Sequence, residues 1–373
     1  MSTTVRLNAD QEEIRQVARG FLESRFPSDR VRELMATPEG FSEQSWKEIS
    51  ELGWAGIALP EAAGGAGYSF VERCILLEEM GRALYPEPYL SSAVLAADAV
   101  LLGAEGQLAE EILAALAAGE RRATLVAAGD LLGGTRPAGA VVATAAADAH
   151  TLNGDGGLVV DGASAEVLVV CAALGDGLGL FAVEAAAEGL ERTAAPTIDA
   201  TRKTARVAFD GTPARRLDAG GEIAAAIALA LDRGAVSLAA EMVGGARRSI
   251  EMTVAYMEER QQFGGPIGRF QALKHRLADL HVAVDAAREG VYSAADAIAS
   301  GDAGQVPMAA AAAKAAACRA YVRTTAEAVQ LHGGIGFTEE HDIGLYYKRA
   351  LAGAPMLGGS EDALERIAVG LGV

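Results

Sequence analysis

Apolar residues recur at helical spacing near both ends of the chain and form short unbroken runs between them. In the first part, Asn8 is a candidate helix cap, and Ile14, Val17, Ala18 and Phe21 repeat with the period of an amphipathic helix. Between about residues 122 and 218, valine-rich runs such as VLVVCAAL and RVAFDG are bounded by turn residues. Runs of that length and composition predict strands of a small antiparallel sandwich or barrel.

The last part of the chain predicts longer helices, near residues 222–261, 270–299, 306–331 and 361–369. Four such helices bury their apolar faces best as an antiparallel bundle. The sequence therefore predicts a mainly helical α+β protein with three domains. These are an N-terminal helical domain over residues 1–121, a middle antiparallel β domain over 122–218, and a C-terminal four-helix bundle domain over 219–373.

Charge and hydropathy restrict the partners and the location. The formal net charge of −18 disfavours nucleic acid and anionic membrane surfaces. No charge-free apolar run reaches the roughly 18 to 20 residues that a membrane span needs, and no basic region followed by an apolar stretch opens the chain. We therefore expect a cytoplasmic protein with no membrane partner.

The cysteine and histidine positions predict neither a disulfide framework nor a metal site. The three cysteines have no paired spacing. Four histidines lie in the last third of the chain: His275, His281, His332 and His341. None of them is paired at i, i+4 on one helix face, as a helical metal site would require.

Two glycine-rich segments are the strongest functional signal. RQQFG, at Arg260–Gly264, is followed by FQ at Phe270 and Gln271, and QLHGGIG occupies Gln330–Gly336. Each follows a long helical pattern and places glycines where a large ligand can approach the backbone. We interpret them as one binding surface, with Arg260 available for an anion such as a nucleotide. The alternative is that they are simply a helix C-terminus and an interhelical loop.

These segments and their order resemble the acyl-CoA dehydrogenase family over essentially the whole chain. The resemblance is carried by WKEISELGWAGIALPEAAGGAGYS, LLEEMGRALYPEP, TIDATRKTARVAFDG, RQQFGGPIGRFQALKHRLADL and AVQLHGGIGFTEEHDIGLYYKRA. It implies FAD as cofactor, an acyl-CoA substrate, and dimers or dimers of dimers assembled through the bundle. The implied chemistry is α,β-dehydrogenation, in which a carboxylate removes the α-proton and the β-hydride passes to the flavin.

The resemblance also implies which residues contact FAD. In the family, the matching positions of one subunit reach the adenine and pyrophosphate end of the FAD held by its neighbour. On this chain they are Arg260, Gln262, Phe263, Phe270, Gln271, Gln330, Leu331, Gly333 and Gly334. A guanidinium and exposed glycine N–H groups suit a pyrophosphate.

The middle domain departs from the family in its flavin-holding motifs. The family's NGxKxWIT aligns with NGDGGLVV, so that tryptophan becomes Leu158, threonine becomes Val160 and lysine becomes Gly156. The other motif, TExxxGSD, has only a vague counterpart at residues 127–133. Loss of hydrogen-bonding groups removes contacts that orient the flavin ring. Arg202, in the DATRKTA segment, is expected to form a strand-surface salt bridge or to reach a nucleotide.

The catalytic carboxylate is not at its usual place. The position that carries glutamate in many members is near Gly358, and gapless counting puts the position used by other members at Gly234. The candidates are Glu241, and Asp232, which stands two residues out of register and so about 200° around the helix. The alternatives are a bundle carboxylate paired with arginine for Glu241 and a solvated surface residue for Asp232.

One half of the family's cofactor site is kept and the other is eroded, which predicts one subunit of an unequal pair. Some bacterial members that act on steroid side chains look like such α2β2 assemblies. The expected partners are a second acyl-CoA dehydrogenase-like subunit and an electron-transfer flavoprotein or similar acceptor. The alternatives are a self-sufficient homo-oligomeric dehydrogenase or flavin monooxygenase of the same fold, and a non-catalytic scaffold that binds acyl-CoA or a partner.

Overall fold

The computed structural model describes residues 6–127, 141–146, 149–302 and 304–372. Its N-terminal region is helical, and capping boxes start α1 at Asn8 and α4 at Ser69. A π-helical segment, Leu90–Ala96, runs directly into α5. The helices are α1 Ala9–Arg25, α2 Ser28–Met35, α3 Glu43–Glu51, α4 Phe70–Arg82, α5 Ala97–Gly103 and α6 Gln107–Ala117.

The middle region is a seven-stranded sheet in the residues that the structure describes. Its strands are β1 Ala123–Ala127, β2 Val141–Ala146, β3 Ala149–Val160, β4 Val167–Leu174, β5 Gly177–Glu184, β6 Leu190–Ala194 and β7 Thr204–Arg216. Pairings through β4, β2, β3, β7 and β5 return to β4 and close a barrel-like ring.

The sheet is mixed, so the prediction of a purely antiparallel domain was wrong. Five pairings are antiparallel, but β4 runs parallel to both β1 and β2. The reason is the strand order: the antiparallel β2–β3 pair reverses the chain before β4, which then inserts between β1 and β2 and runs in their direction. The sequence pattern recognises strands but carries no information about which strands become neighbours.

The C-terminal region is again helical, which confirms the predicted order of helices, sheet and helices. Its elements are α7 Ile223–Glu259, the hairpin β8 Gln261–Gln262 and β9 Gly265–Pro266, α8 Gln271–Ala299, α9 Val306–His332, α10 Ile343–Gly353 and α11 Ser360–Leu371. The described part contains five helices here, where the sequence predicted four. The additional helix, α10, is short and follows a glycine-rich turn, so its periodicity is easily missed.

Helix α7 is the core element of this region. By length and composition it could cross a membrane, since an 18-residue window has a mean hydropathy of 1.7. However, 67% of that window is buried inside the protein, where α7 packs against α4, α8 and α9. Burial in the core accounts for its apolar composition.

Helices α4 and α7 touch backbone to backbone through two glycines. A Cβ atom added at Gly81 of α4 would lie 1.9 Å from the carbonyl oxygen of Glu241. One added at Gly244 of α7 would lie 1.8 Å from the carbonyl oxygen of Glu78. Only glycine allows this approach, and it fixes both glutamates at the interface between the two helical regions.

We expect Gly244→Ala to destabilise the protein by about 3 kcal/mol or more, because the methyl group can be accommodated only by moving the two helices apart. The free energy of unfolding in urea measures the effect. Gly290→Ala on α8 is the matched control, because its Cβ would meet only Ala313 at 3.9 Å. A loss for Gly244→Ala no larger than for the control would show that the helices do not make this contact.

Candidate functional site

The two glycine-rich segments lie at the same end of the C-terminal helices. Leu331, in the second segment, is buried in a small apolar cluster with Met257, Leu277 and Leu280 of α7 and α8. This cluster connects the two segments through the interior of the bundle. We call the exposed residues of the two segments the glycine-turn surface: Arg260, Gln262, Phe263, Phe270, Gln271, Gln330, Gly333 and Gly334.

The first half of this surface is a tight hairpin with exposed aromatic rings. Phe263 is 82% exposed and adopts a left-handed backbone conformation, with φ of 53°. Its ring meets Phe270 edge-on at 5.9 Å. Arg269 places its guanidinium 5.1 Å from the centre of the Phe270 ring and donates hydrogen bonds to the carbonyls of Phe263 and Gly264. The hairpin is therefore held in shape by its own side chains.

Arg260 stands at the end of α7, directly before this hairpin. Its backbone N–H donates to the carbonyl of Tyr256 at 2.8 Å, and its carbonyl accepts from Ile267 N–H at 2.9 Å. Its side chain is exposed and has no hydrogen-bond or ion-pair partner within the part of the chain that the structure describes. The backbone is fixed while the guanidinium is free to bind an anion.

The second half is the turn after α9. Gly333 has φ of 63°, which favours glycine. A Cβ atom built at Gly333, Gly334 or Gly264 would meet no atom within 4 Å. The backbone at these glycines is therefore open on its Cβ side, while the Gly333 N–H donates to the carbonyl of Gln330. Together with an arginine and exposed aromatic rings, this open backbone fits a large anion with a planar group, such as the adenine and pyrophosphate end of FAD.

The described part of the middle domain does not fit the flavin ring. Val160 is 1% exposed, and its backbone carbonyl accepts a hydrogen bond from Thr124 Oγ1 at 2.7 Å. Gly156 is packed so tightly that a Cβ would lie 3.0 Å from the Val207 carbonyl oxygen. The family's lysine therefore has no room at this position. The vague counterpart of the other flavin motif, apart from Ala127, lies outside the described residues.

Glu241 lies in a buried group of charges that joins the sheet to the helices. Its carboxylate contacts Arg202 Nη2 at 2.6 Å and Arg349 Nε at 3.2 Å. Arg349 also contacts Asp199 at 3.3 Å and donates to the carbonyl of Tyr85 at 2.7 Å. We call Asp199, Arg202, Glu241 and Arg349 the interdomain charge cluster.

The electrostatics of this cluster favour an ionised Glu241. Burial acts to raise the pKa of Glu241, but Arg202 and Arg349 outweigh it and hold the pKa below its usual range. A carboxylate with a lowered pKa is a poor general base. The geometry therefore favours the interpretation of Glu241 as a bundle carboxylate paired with arginine.

Asp161 adjoins the cluster but behaves differently. Its carboxylate accepts a hydrogen bond from Ser91 Oγ at 2.6 Å. Burial raises the pKa of Asp161 to about 6, against the opposing effects of that hydrogen bond and of Arg202 and Arg349. The two carboxyl groups are thus shifted in opposite directions, with the pKa of Glu241 lowered and that of Asp161 raised.

Two expectations for charged residues were wrong. Arg202 does not form a strand-surface salt bridge, because its side chain is only 10% exposed and points to α7. Asp232 is not solvated: it is 4% exposed and contacts Arg366 of α11 at 2.6 Å. Burial raises the pKa of Asp232, and Arg366 opposes that shift. Arg366 reaches this face of α7 from α11, a tertiary contact that the local sequence does not reveal.

The two positions that usually carry the catalytic carboxylate, at Gly234 and near Gly358, lie close together in the interior. Neighbouring side chains fill the space around both. A Cβ at Gly234 would lie 2.4 Å from Leu95 Cδ2 and 3.3 Å from Leu357 Cδ1. Beside Gly358 the structure leaves a cavity of about 10 Å³, close to the least that holds one water molecule. Lys314 fastens the segment by donating to the carbonyls of Ala354 and Gly358 at 3.0 and 3.1 Å.

Sequence reasoning missed Arg349, Lys314 and Leu95. The available signal was a charged residue within an apolar helix, since Lys314 is buried on the alanine-rich α9 and Arg349 is buried on the largely apolar α10. In the described residues no group of three or more histidine, cysteine, aspartate or glutamate side chains is arranged to hold a metal ion.

Comparison with known proteins decides the family. The model of the acyl-CoA dehydrogenase N-terminal domain matches residues 8–120, and that of the C-terminal domain matches residues 223–372. The chain belongs to the acyl-CoA dehydrogenase family. It is therefore an oxidoreductase of the kind that acts on CH–CH bonds, in a family of FAD-binding flavoproteins.

Several family members are similar over nearly their whole length. Acyl-CoA dehydrogenase IpdE2 of Mycobacterium tuberculosis is 35% identical over 90% of this chain and 89% of its own. A variant of the Tcur3481-Tcur3483 steroid ACAD is 30% identical, with a TM-score of 0.87 and coverage of 97% and 98%. The ChsE4-ChsE5 complex of Mycobacterium tuberculosis is 27% identical, with a TM-score of 0.88 and coverage of 98% of both chains.

We expect Glu241→Gln to lower the free energy of unfolding by about 3 kcal/mol at neutral pH, because Arg202 and Arg349 lose a buried counter-charge. Since the folded-state pKa is lowered, this stabilisation is present above the usual glutamate value of 4.5 and is lost as the pH falls through the folded pKa. Urea unfolding at several pH values measures both effects.

Glu258→Gln is the control, since Glu258 is an exposed glutamate on the same helix. Equal stabilities for the two variants at neutral pH would contradict the buried ion pairs.

Proposed function

We propose that this chain is one subunit of a heteromeric acyl-CoA dehydrogenase of the cytoplasm. Its glycine-turn surface binds the adenine and pyrophosphate end of an FAD whose flavin ring is held mainly by the partner subunit. The partner is a second acyl-CoA dehydrogenase-like chain. When bound, the FAD accepts the hydride from the substrate.

The observation that carries the proposal is the contrast between an open surface and a closed interior. On the surface, Arg260, Gly333 and Gly334 are exposed, and no atom lies within 4 Å of a Cβ built at either glycine. In the interior, Leu95 and Leu357 fill the space beside Gly234. The chain can therefore contribute to a shared cofactor site, while the place for its own base and acyl group is occupied by side chains.

The surroundings of the two candidate bases, Glu241 and Asp232, also support a catalytic base on the partner subunit. Glu241 is held by two arginines, and Asp232 is held by Arg366. Removing the α-proton requires a carboxylate that can reach the substrate and accept a proton near neutral pH. We therefore assign the base of the assembled enzyme to the partner.

The substrate is proposed to be a bulky acyl-CoA, such as one with a steroid-derived skeleton. Support comes from the similar structures, one of which is a steroid ACAD and another the ChsE4-ChsE5 complex. An electron-transfer flavoprotein or a similar protein is proposed to reoxidise the cofactor. The negative charge of −18 makes a local cation necessary wherever an anionic ligand binds, which is the role assigned to Arg260.

We expect Arg260→Ala to reduce both the FAD content and the yield of the complex when this chain is co-expressed with an acyl-CoA dehydrogenase-like partner. Loss of a charge-assisted contact to pyrophosphate costs about 1.5–3 kcal/mol, or roughly ten- to a hundredfold in affinity. Flavin absorbance per complex and the mass of the complex are the measurements.

Lys47→Ala is the control, because Lys47 is an exposed cation on α3, with a side chain that is 77% exposed. Equal FAD contents for the two variants would contradict the proposed contact. Loss of turnover in Glu241→Gln with unchanged folding and FAD content would instead favour a base on this chain.

A further inference from the structure

Three aromatic side chains, Tyr256, His332 and His341, pack together next to the glycine turn, and we call them the aromatic stack. The imidazole of His332 lies 4.5 Å from the ring of Tyr256, with the two planes 29° apart, and 4.3 Å from the imidazole of His341. Tyr256 is at the end of α7, His332 is the last residue of α9, and His341 belongs to the segment that leads into α10. The stack thus connects the C-terminal ends of α7 and α9 with the segment that precedes α10.

His332 is buried, and only one of its two ring nitrogens has a hydrogen-bond partner among the described residues. Its ring is 1% exposed, and Nδ1 lies 2.7 Å from the carbonyl oxygen of Ala328. A carbonyl accepts only, so Nδ1 carries the proton and Nε2 is unprotonated in the neutral ring. Nε2 has no hydrogen-bond partner among the described residues. A proton added there would create a buried cation without a counter-charge.

The groups around the stack do little to stabilise a proton on Nε2 of His332. Facing His332 are the Tyr256 ring from α7 and His341. Burial lowers the pKa of His332; the Ala328 carbonyl opposes this, and His341 adds to it. Burial also lowers the pKa of His341, where Asp342 opposes the shift and Arg32 of α2 adds to it.

We propose that His332 is a positioning residue of the glycine-turn surface, whose neutral ring holds the Gly333–Gly336 turn in its ligand-binding conformation and whose protonation releases it. That it affects FAD binding rests on the proposed function. The control of the turn by His332 follows from the stack itself.

The sign of the pH dependence follows from the lowered pKa. The released segment binds a proton more readily than the folded one, so the stack is fully stable above the usual histidine value of 6.5 and loses stability as the pH falls below it. Each pH unit between the usual histidine value and the lower folded-state pKa raises the population of the released turn by up to about tenfold, and below the folded-state pKa the population stays constant because both forms are protonated.

Hydrogen exchange of peptides covering residues 330–340 tests the proposal on the chain without added ligand. Two amides report on the turn: Gly333 N–H donates to Gln330, and Thr338 N–H donates to Ile335 at 3.0 Å. After correction for intrinsic rates, we expect exchange to be faster near pH 5 than near pH 8, by up to about thirtyfold. In His332→Phe, which keeps a ring but cannot be protonated, this difference disappears.

His281→Gln is the control, since His281 is exposed on α8 and lies 3.4 Å from Asp285. It should keep the wild-type pH dependence. A pH dependence that persists in His332→Phe, or is absent from the wild type, overturns the proposal.

Binding of ADP at both pH values separates the two hypotheses. ADP bound at high pH and lost at low pH in the wild type, but not in His332→Phe, supports both the control by His332 and the nucleotide site. The expected exchange pattern without ADP binding at either pH would support the role of His332 in the turn and count against the nucleotide site.

Discussion

The contact between α4 and α7 determines where the buried charges of this protein lie. Because Gly81 and Gly244 let the two backbones touch, Glu78 and Glu241 are placed at the helix interface, where neither can reach water. Glu78 is satisfied by Arg247 and by Arg288 of α8. Glu241 turns towards the sheet and is satisfied by the interdomain charge cluster. One close helix contact therefore leads to ion pairs that tie the helical regions and the sheet together.

Those ion pairs have a functional consequence. A buried carboxylate between two arginines is stable because it remains charged, whereas a catalytic base must give up its charge during the reaction. In this chain Glu241 is held in ion pairs with two arginines. Leu95, Leu357 and Lys314 close the remaining space around Gly234 and Gly358. The accessible groups lie at the end of the helices, on the glycine-turn surface, where exposed glycines and Arg260 are open to a partner or ligand.

The sequence reveals some of these features and conceals others for physical reasons. Periodicity identified the long helices and most strands, because positions buried on one face of an element recur as apolar residues at regular spacing. It did not identify β1 and β6, which are five residues each, or the parallel pairing of β4, which depends on contacts between distant segments. RQQFG and QLHGGIG were found because glycine at a turn is a local requirement. The pairing of Asp232 with Arg366 and that of Glu241 with Arg349 arise only from tertiary packing.

The central claim is that this chain supplies one side of a flavin site and depends on another polypeptide for the other. The most direct measurement is the flavin absorbance of the chain purified alone, compared with that of the chain purified together with an acyl-CoA dehydrogenase-like partner. Our account predicts no stoichiometric FAD on the chain alone and bound FAD in the mixed complex. One tightly bound FAD per chain in the protein purified alone would contradict it.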